Sequence, residues 1–90
     1  MGSRNLALFG LPNDVGQCRL GITATRKVGG AVRRNRVKRV LREVYRRNRA
    51  VLREPIDLVV NAHPRIHELS YAEIEREFLD AFGRLARRIR

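Results

Sequence analysis

The sequence lacks the features that stabilise secreted domains and anchor membrane proteins. Its one cysteine, Cys18, excludes an internal disulfide and a cysteine-based zinc site. The two histidines lie far from that cysteine in sequence, so we expect no metal ion bound by this chain. Its apolar runs fall well short of the roughly 20 residues that span a membrane, and the first residues predict no signal peptide. These absences favour a cytoplasmic protein without a membrane partner.

Acidic residues are scarce and basic residues are concentrated in one segment. The chain has 9 Asp+Glu against 20 Lys+Arg, a formal net charge of +11. Twelve of the basic residues and a single acid, Glu43, lie between Arg26 and Arg53, so this segment carries the whole excess. All but two of the basic residues are arginine, whose planar guanidinium binds phosphate bidentately. The pattern favours a polyanion, and nucleic acid in particular, as the partner.

The apolar pattern predicts one small α+β domain over residues 1–90, with elements in the order β-β-α-β-α. Residues 5–11 and 19–25 are short and apolar or alternating, and we expect them to form an antiparallel hairpin. Residues 56–62 predict a third strand in the same sheet. Because a helix separates the second and third strands, the sheet should contain a βαβ crossover.

Two stretches have helical periodicity. The first has a stripe expected to be buried, interrupted by one polar residue: Val37, Val40, Leu41, Val44, Tyr45, Asn48, Val51 and Leu52. We expect Glu54-Pro55 to end this helix. Ser70 and Glu73 have the spacing of a capping box, which predicts the start of a second helix. Its expected core stripe is Ile74, Phe78, Ala81, Phe82, Leu85 and Ile89.

No residue pattern predicts a protein active site. Ser70 has no neighbouring catalytic partners in sequence, and its capping role accounts for it. His63 and His67 are separated by Pro64 and cannot share a regular helical face. Cys18 is expected to be a small buried side chain at the start of a strand. Any reaction must therefore be carried out by a partner.

Other features are typical of RNA binding. Gly29-Gly30 precedes the first helix, whose N-terminal amides form an anion site with basic residues on either side. Asn35, within the arginines, can bind a base edge, a phosphate or a 2′-hydroxyl. Phe9 on the first strand is either a core residue or an exposed ring that stacks on an unpaired base. The sequence leaves both alternatives for Phe9 open.

The residues from Arg19 to Arg47, RLGITATRKVGGAVRRNRVKRVLREVYRR, closely resemble the bacterial ribonuclease P protein component. In that family a strand ending in a basic pair and a glycine-containing turn precede a helix that opens with R-N-x-x-K-R-x-x-R. The helix here reads RNRVKRVLR from Arg34 to Arg42, which we call the RNR motif. The resemblance extends from about Asn5 to the second helix and includes the segments IDLVV and LSYAE.

The resemblance implies a subunit of a ribonucleoprotein enzyme rather than a catalyst. In the family a large RNA removes the 5′ leader from precursor tRNA with Mg²⁺, which is bound mainly by the RNA. The protein holds the single-stranded leader and presents the RNR helix to the catalytic RNA. The family's βαβ crossover is left-handed, against the usual rule.

The resemblance also implies residue roles, position by position. The residues expected to bind the catalytic RNA are Arg34, Asn35, Arg36, Lys38, Arg39 and Arg42. Those expected to bind the leader are Phe9, Thr23, Thr25, Arg26 and Lys27.

The sequence departs from the family in one respect, since members usually begin with a basic helix and an extra strand that we do not find here. Without them we expect exposed apolar surface and a tendency to self-association. One alternative is a general basic RNA-binding protein, of the ribosomal or RNA-chaperone type, without a role in cleavage. Another is a remnant with no specific partner. A DNA reader is disfavoured because no helix-turn-helix partner precedes the basic helix.

Overall fold

The computed structural model describes residues 4–53 and 55–89. Its elements are β1 (Leu6–Pro12), β2 (Arg19–Ala24), a 3₁₀ turn (Arg26–Val28), α1 (Ala31–Arg47), β3 (Ile56–Ala62), a second 3₁₀ turn (Pro64–Glu68) and α2 (Tyr71–Ile89). The predicted α+β class and the order of strands and helices are confirmed. Within the described residues, neither helix combines the length and the apolar character needed to cross a bilayer.

The strand pairing differs from the expected hairpin. The sheet order is β1-β3-β2, with β1 antiparallel and β2 parallel to β3, so the predicted β1–β2 hairpin is wrong. The central position suits β3 because it is the most completely buried strand: Ile56, Leu58, Val60 and Ala62 are all buried. Connection of β2 to β3 through α1 forms the βαβ crossover.

The segment between β1 and β2 crosses the start of β3 instead of turning back on itself. The backbone N–H of Asn13 donates to the carbonyl of Pro55 at 2.8 Å. The Asn13 side chain donates to Asp57 Oδ1 and to the Gln17 carbonyl, both at 3.0 Å. These bonds anchor the connection to β3 and leave β1 and β2 on opposite edges of the sheet.

Both helices cover one face of the sheet. Leu6, Leu8, Leu58 and Val60 point from the strands into a core shared with α1 and α2. Five residues of the predicted α2 stripe are buried there as expected: Ile74, Phe78, Ala81, Phe82 and Leu85. The side chain of Ile89 lies outside the described residues. Among the residues that the structure describes, no helix covers the opposite face of the sheet.

The first helix ends earlier than predicted, at Arg47, because Asn48 caps it. The Asn48 side-chain amide donates to the Val44 carbonyl at 2.7 Å and to Glu75 Oε2 on α2 at 2.9 Å. Asn48, the polar residue that interrupts the apolar stripe, therefore marks the end of α1. Beyond it Val51 is 64% exposed, contrary to the expectation that it is buried.

The predicted position of the helix end coincides in part with a residue whose structure is not described. Glu54 lies outside the described residues, and Pro55 follows it immediately before β3. The helix stripe is otherwise largely confirmed. Val37, Leu41, Val44 and Leu52 are buried, while Val40 and Tyr45 are half-buried against the core.

The predicted capping box at the start of α2 is confirmed in both directions. The N–H of Glu73 donates to Ser70 Oγ at 3.2 Å, and the N–H of Ser70 donates to Glu73 Oε1 at 3.0 Å. We expect Ser70→Ala to lower the free energy of unfolding by about 1 kcal/mol, and Ser70→Gly by only a few tenths. Urea unfolding of the three proteins measures this. Equal midpoints for the wild type and Ser70→Ala would contradict it.

Acid should destabilise the fold through particular carboxyl groups. Hydrogen bonds hold the pKa of three exposed carboxyls below their usual values: Asp57 bonded by Arg19, Glu43 by Arg46 and Glu73 by Ser70. A carboxyl with a lower pKa when folded stabilises the fold above its unfolded pKa of about 4, and that stability is lost as the pH falls through the folded value. We therefore expect Asp57→Asn to show a shallower acid-side loss of melting temperature than the wild type. Parallel melting-temperature profiles would contradict this.

Candidate RNA-binding site

The uncovered face of the sheet has an apolar row flanked by two rows that each contain two polar residues and one apolar residue. The strand register aligns Phe9, Val59 and Gly21 across the three strands. The row on one side is Leu11, Asp57 and Arg19, and the row on the other is Ala7, Asn61 and Thr23. We call these nine positions the open face.

The structure decides between the two alternatives for Phe9. Its side chain is 58% exposed on the open face, beside Val59 at 40%, while the neighbouring Leu8 is buried beneath the sheet. An exposed ring on a sheet can stack on an unpaired base. The open face can therefore receive a single strand of RNA.

The two threonines expected near the leader occupy different settings. Thr23 lies on the open face and donates from Oγ1 to Asn61 Oδ1 at 3.1 Å. Thr25 lies beyond the end of β2, where its carbonyl accepts from the N–H of Val28 at 3.0 Å. Thr23 therefore shares a surface with Phe9, and Thr25 belongs to the basic turn that follows.

One arginine of the open face is neutralised within the fold. Arg19 binds Asp57 bidentately, with Nε to Oδ1 at 2.6 Å and Nη2 to Oδ2 at 2.8 Å. This pair lowers the pKa of the Asp57 carboxyl and raises the pKa of the guanidinium. Arg19 therefore contributes little positive potential to the open face.

The carboxyl ends of the parallel strands bring a basic cluster together. The turn containing the exposed residues Arg26 and Lys27 follows β2, and the 3₁₀ turn Pro64–Glu68 follows β3 beside it. Arg33 Nη1 lies 3.5 Å from His67 Nε2, which adds a histidine that the sequence did not assign. The first turn of α1 contains no acidic residue, so its N-terminal amides and these cations all favour an anion.

Gly29 determines how the chain enters α1. Its φ of +142° lies in a region that other residues rarely adopt, and a Cβ placed there would overlap Cδ of Arg33. Gly30 is different, because it is an extended N-cap with no atom near its Cβ position. Of these two glycines, only Gly29 is therefore required for the backbone turn that leads into α1.

The structure divides the six residues expected to bind the catalytic RNA between two sides of α1. Arg42 lies beside β2, and Arg34, Asn35 and Lys38 precede it at the spacing of one or two turns on that side. On the other side, Arg36 and Arg39 line a shallow recess of about 360 Å³ whose other residues are Val40, Glu43 and Tyr71. The motif can therefore contact RNA over a wide arc of the helix.

Few carboxylates neutralise this helix. Glu43 binds both Arg46, at 2.6 Å, and Arg47, at 3.4 Å. Within residues 4–53 and 55–89, no salt bridge reaches the cations of the RNR motif. These guanidinium groups are available to an external anion.

The residues considered for catalysis have structural roles. Burial raises the pKa of the Cys18 thiol, which disfavours the nucleophilic thiolate. Ser70 is the helix cap described above, and His63 Nδ1 lies 3.2 Å from the Arg4 carbonyl. The described residues contain no group of three or more His, Cys, Asp or Glu side chains that could hold a metal ion.

Comparison with known proteins identifies the family. A sequence model described as Ribonuclease P matches residues 1–86 of this chain. The chain belongs to the ribonuclease P protein family. In this family the RNA carries the catalysis.

Individual relatives agree with this assignment. The ribonuclease P protein component of Natranaerobius thermophilus is 43% identical over 77 residues, 86% of this chain and 67% of that protein. The one from Pelotomaculum thermopropionicum is 34% identical over 84 residues, 93% of this chain and 75% of that protein. The solved RNase P protein from Thermotoga maritima superposes with a TM-score of 0.87 at 30% identity, covering 93% of this chain and 80% of the other. The Staphylococcus aureus protein, with a TM-score of 0.83 at 24% identity, covers 92% and 76% and shows the shared fold.

A pair of matched substitutions tests the entry to the RNR helix. We expect Gly29→Ser to lower the free energy of unfolding by about 1–3 kcal/mol because it forces a residue with Cβ into a glycine conformation. Gly30→Ser places the same side chain at the N-cap, where serine is favoured, and should leave stability unchanged or improved. Thermal unfolding of both variants measures the contrast. Equal destabilisation by the two would contradict it.

Proposed function

We propose that this chain acts as the protein subunit of ribonuclease P, with the open face holding the single-stranded 5′ leader of precursor tRNA and α1 binding the catalytic RNA. The observation that carries the proposal is the exposed Phe9–Val59–Gly21 row beside a helix whose RNR-motif cations have no salt bridge among the described residues. The first feature suits bases and the second suits phosphates. Together they suit an RNA that is part single-stranded and part folded.

The leader would lie on the open face and at the basic turn beside it. Phe9 offers a ring for one base, and Thr23 offers a hydroxyl that can exchange its bond to Asn61 for a bond to the strand. Arg26 and Lys27 lie just beyond the end of β2 and can bind phosphates of the leader where it leaves the open face. This arrangement contacts the backbone and base planes, so it favours single strands over duplexes.

The catalytic RNA would bind the solvent-facing arc of α1. Arg34, Lys38 and Arg42 form one line along the helix, and Arg36 and Arg39 form another. Guanidinium groups bind phosphates bidentately, and Asn35 can add a bond to a base edge or a 2′-hydroxyl. We assign this arc to the structured RNA because its charge is spread over both sides of the helix.

The cleavage itself would be done by the RNA with Mg²⁺. The cations of the chain would lower the repulsion between the two RNAs and so reduce the Mg²⁺ concentration that cleavage requires. A cytoplasmic site of action follows from this role in tRNA maturation. The large exposed apolar residues of the open face, Phe9, Leu11 and Val59, would also be the surface buried if the free protein associates with itself.

Cleavage of a precursor tRNA at low Mg²⁺ by the catalytic RNA of the same organism tests the proposal. We expect the chain to increase the rate, and to bind precursor tRNA with a leader more tightly than mature tRNA when the catalytic RNA is present. Equal affinity for both RNAs with no stimulation would identify a general basic RNA-binding protein instead.

The RNR motif is tested by removing two of its charges. Arg34→Gln with Arg39→Gln should weaken binding to the catalytic RNA and reduce the salt dependence of the affinity by about 0.7–0.9 log units for each phosphate that the variant no longer binds. Arg65→Gln with Arg84→Gln removes the same charge from two arginines already bonded to Glu68 and Asp80. This control should bind almost as the wild type does. If both double variants bind equally, the motif assignment is wrong.

A further inference from the structure

One surface feature beside the sheet has no role in the function proposed above. A groove of about 580 Å³ lies between β2 and the last turns of α1. Leu20, Gly21 and Ile22 form its floor, and Arg42, Tyr45, Arg46 and Arg49 form its wall. We call it the β2–α1 groove. Of these residues only Arg42 belongs to the RNR motif.

The wall of the β2–α1 groove is cationic. Arg42 and Arg46 are four residues apart on one side of α1 and continue the line of Arg34 and Lys38 towards the helix end. Arg49 lies just beyond that end and lines the same groove. Arg46 is bonded to Glu43 at 2.6 Å, but both side chains are exposed. Exposed ion pairs contribute little stability, so a phosphate can compete for this guanidinium.

The aromatic part of the wall is held in a fixed position. The Tyr45 hydroxyl donates to the Cys18 carbonyl at 2.7 Å, and the guanidinium of Arg49 lies 6.0 Å from the centre of its ring. Burial raises the pKa of Tyr45, which keeps the hydroxyl protonated as a donor. The ring is therefore a preorganised apolar surface next to two arginines, an arrangement suited to a nucleobase and its phosphate.

The floor adds backbone groups that are free to bind. The sheet order places β2 at an edge, so within the described residues its outer N–H and C=O groups have no partner strand. Leu20 and Ile22 are half-buried against the core and hold this edge in place. A ligand in the β2–α1 groove can therefore bond to backbone, contact apolar side chains and pair with arginine at once.

Gly21 joins the groove to the open face. It lies in the row of Phe9 and Val59 and also lines the β2–α1 groove, so no side chain separates the two surfaces there. A Cβ at this position would meet only Val59 Cγ2, at 3.9 Å, an ordinary contact. Packing within the described chain therefore does not require a glycine at position 21.

We propose that the β2–α1 groove binds a further unpaired RNA segment, continuous with the strand on the open face and passing over Gly21. Arg46 and Arg49 would bind its phosphates, and Tyr45 would receive a base. The concentration of positive charge favours RNA over a peptide strand added to the free edge of β2. The inference rests on the proposed function, because the open face must hold RNA first.

The dependence of affinity on RNA length tests the groove. Fluorescein-labelled oligouridylates of about 4 to about 12 nucleotides, in the range of known single-strand sites, are titrated with the full chain at several salt concentrations. We expect affinity to rise with length until the open face and the groove are both filled. The double variant Arg46→Gln, Arg49→Gln should bind the shortest oligomers as the wild type does. Its affinity should stop rising at a shorter oligomer length than that of the wild type. Its salt dependence for the longest oligomers should fall by about 0.7 log units for each phosphate left unbound.

Substitution of Gly21 tests the continuity of the two surfaces. Gly21→Val should leave the fold intact, because valine suits a strand and the site has room, yet it places a side chain between the open face and the groove. We expect the gain in affinity from added length, measured against the same variant's affinity for the shortest oligomers, to be lost. Gly21→Ala, a smaller obstacle, should lose less of that gain.

Two outcomes would overturn the inference. One is a length dependence in the Arg46 and Arg49 double variant equal to that of the wild type or of the Arg65→Gln, Arg84→Gln control. The other is an unchanged length dependence in Gly21→Val. These two outcomes can be distinguished from failure of the proposed function, because the proposed function is measured by cleavage of precursor tRNA. If the wild-type chain stimulates cleavage but the groove variants keep the wild-type length dependence, only the inference about the groove is wrong.

Discussion

The parallel pairing of β2 with β3 is the constraint on which the rest of the molecule depends. Parallel strands cannot be joined by a tight turn, so α1 must cross from the end of β2 back to the start of β3. The same pairing brings the carboxyl ends of both strands to one end of the sheet. The turn at residues 26–28, the start of α1 and the turn at residues 64–68 therefore meet, and Arg33 comes within 3.5 Å of His67. One pairing thus assembles the cationic cluster.

The second part of the site is the sheet face that the two helices do not cover. With α1 and α2 on the same face, the alternation of side chains directs Leu8 into the core and Phe9 to the solvent. Exposed apolar surface is costly in water, and on a small protein it commonly marks a binding site. The bidentate pair of Arg19 with Asp57 holds the adjacent row in order without adding net charge. The open face is thereby apolar at its centre and polar at its margins.

The distribution of charge works against stability and in favour of binding. Twelve basic residues in the segment from Arg26 to Arg53 face a single carboxylate, Glu43, which already binds two of them. Their mutual repulsion is offset by the buried stripe of α1, above all Leu41 and Val44, which are fully buried. An RNA backbone relieves the repulsion by supplying the missing anions. The fold therefore holds its cations in place for a partner instead of neutralising them internally.

Local spacing along the chain was sufficient to predict much of this protein. The concentration of arginine, the helical stripe, the capping box at Ser70 and Glu73 and the RNR motif each depend on residues a few positions apart, where the chain itself sets the geometry. That is why β3, the start of α2 and the family assignment agree with expectation. Alternation in β2 also predicted two faces, but it could not indicate which face the helices would cover.

The tertiary structure decided what depends on distant residues. The expected β1–β2 hairpin failed because the most buried strand takes the centre of the sheet, a choice made by the whole core. The end of α1 was misplaced because Asn48 bonds to Glu75, 27 residues away on another helix. The β2–α1 groove likewise exists only because the crossover sets Arg46 and Arg49 beside Gly21. The sequence by itself determined the chemistry of the surface, and packing determined which residues share it, because burial is a property of the assembled core rather than of any one segment.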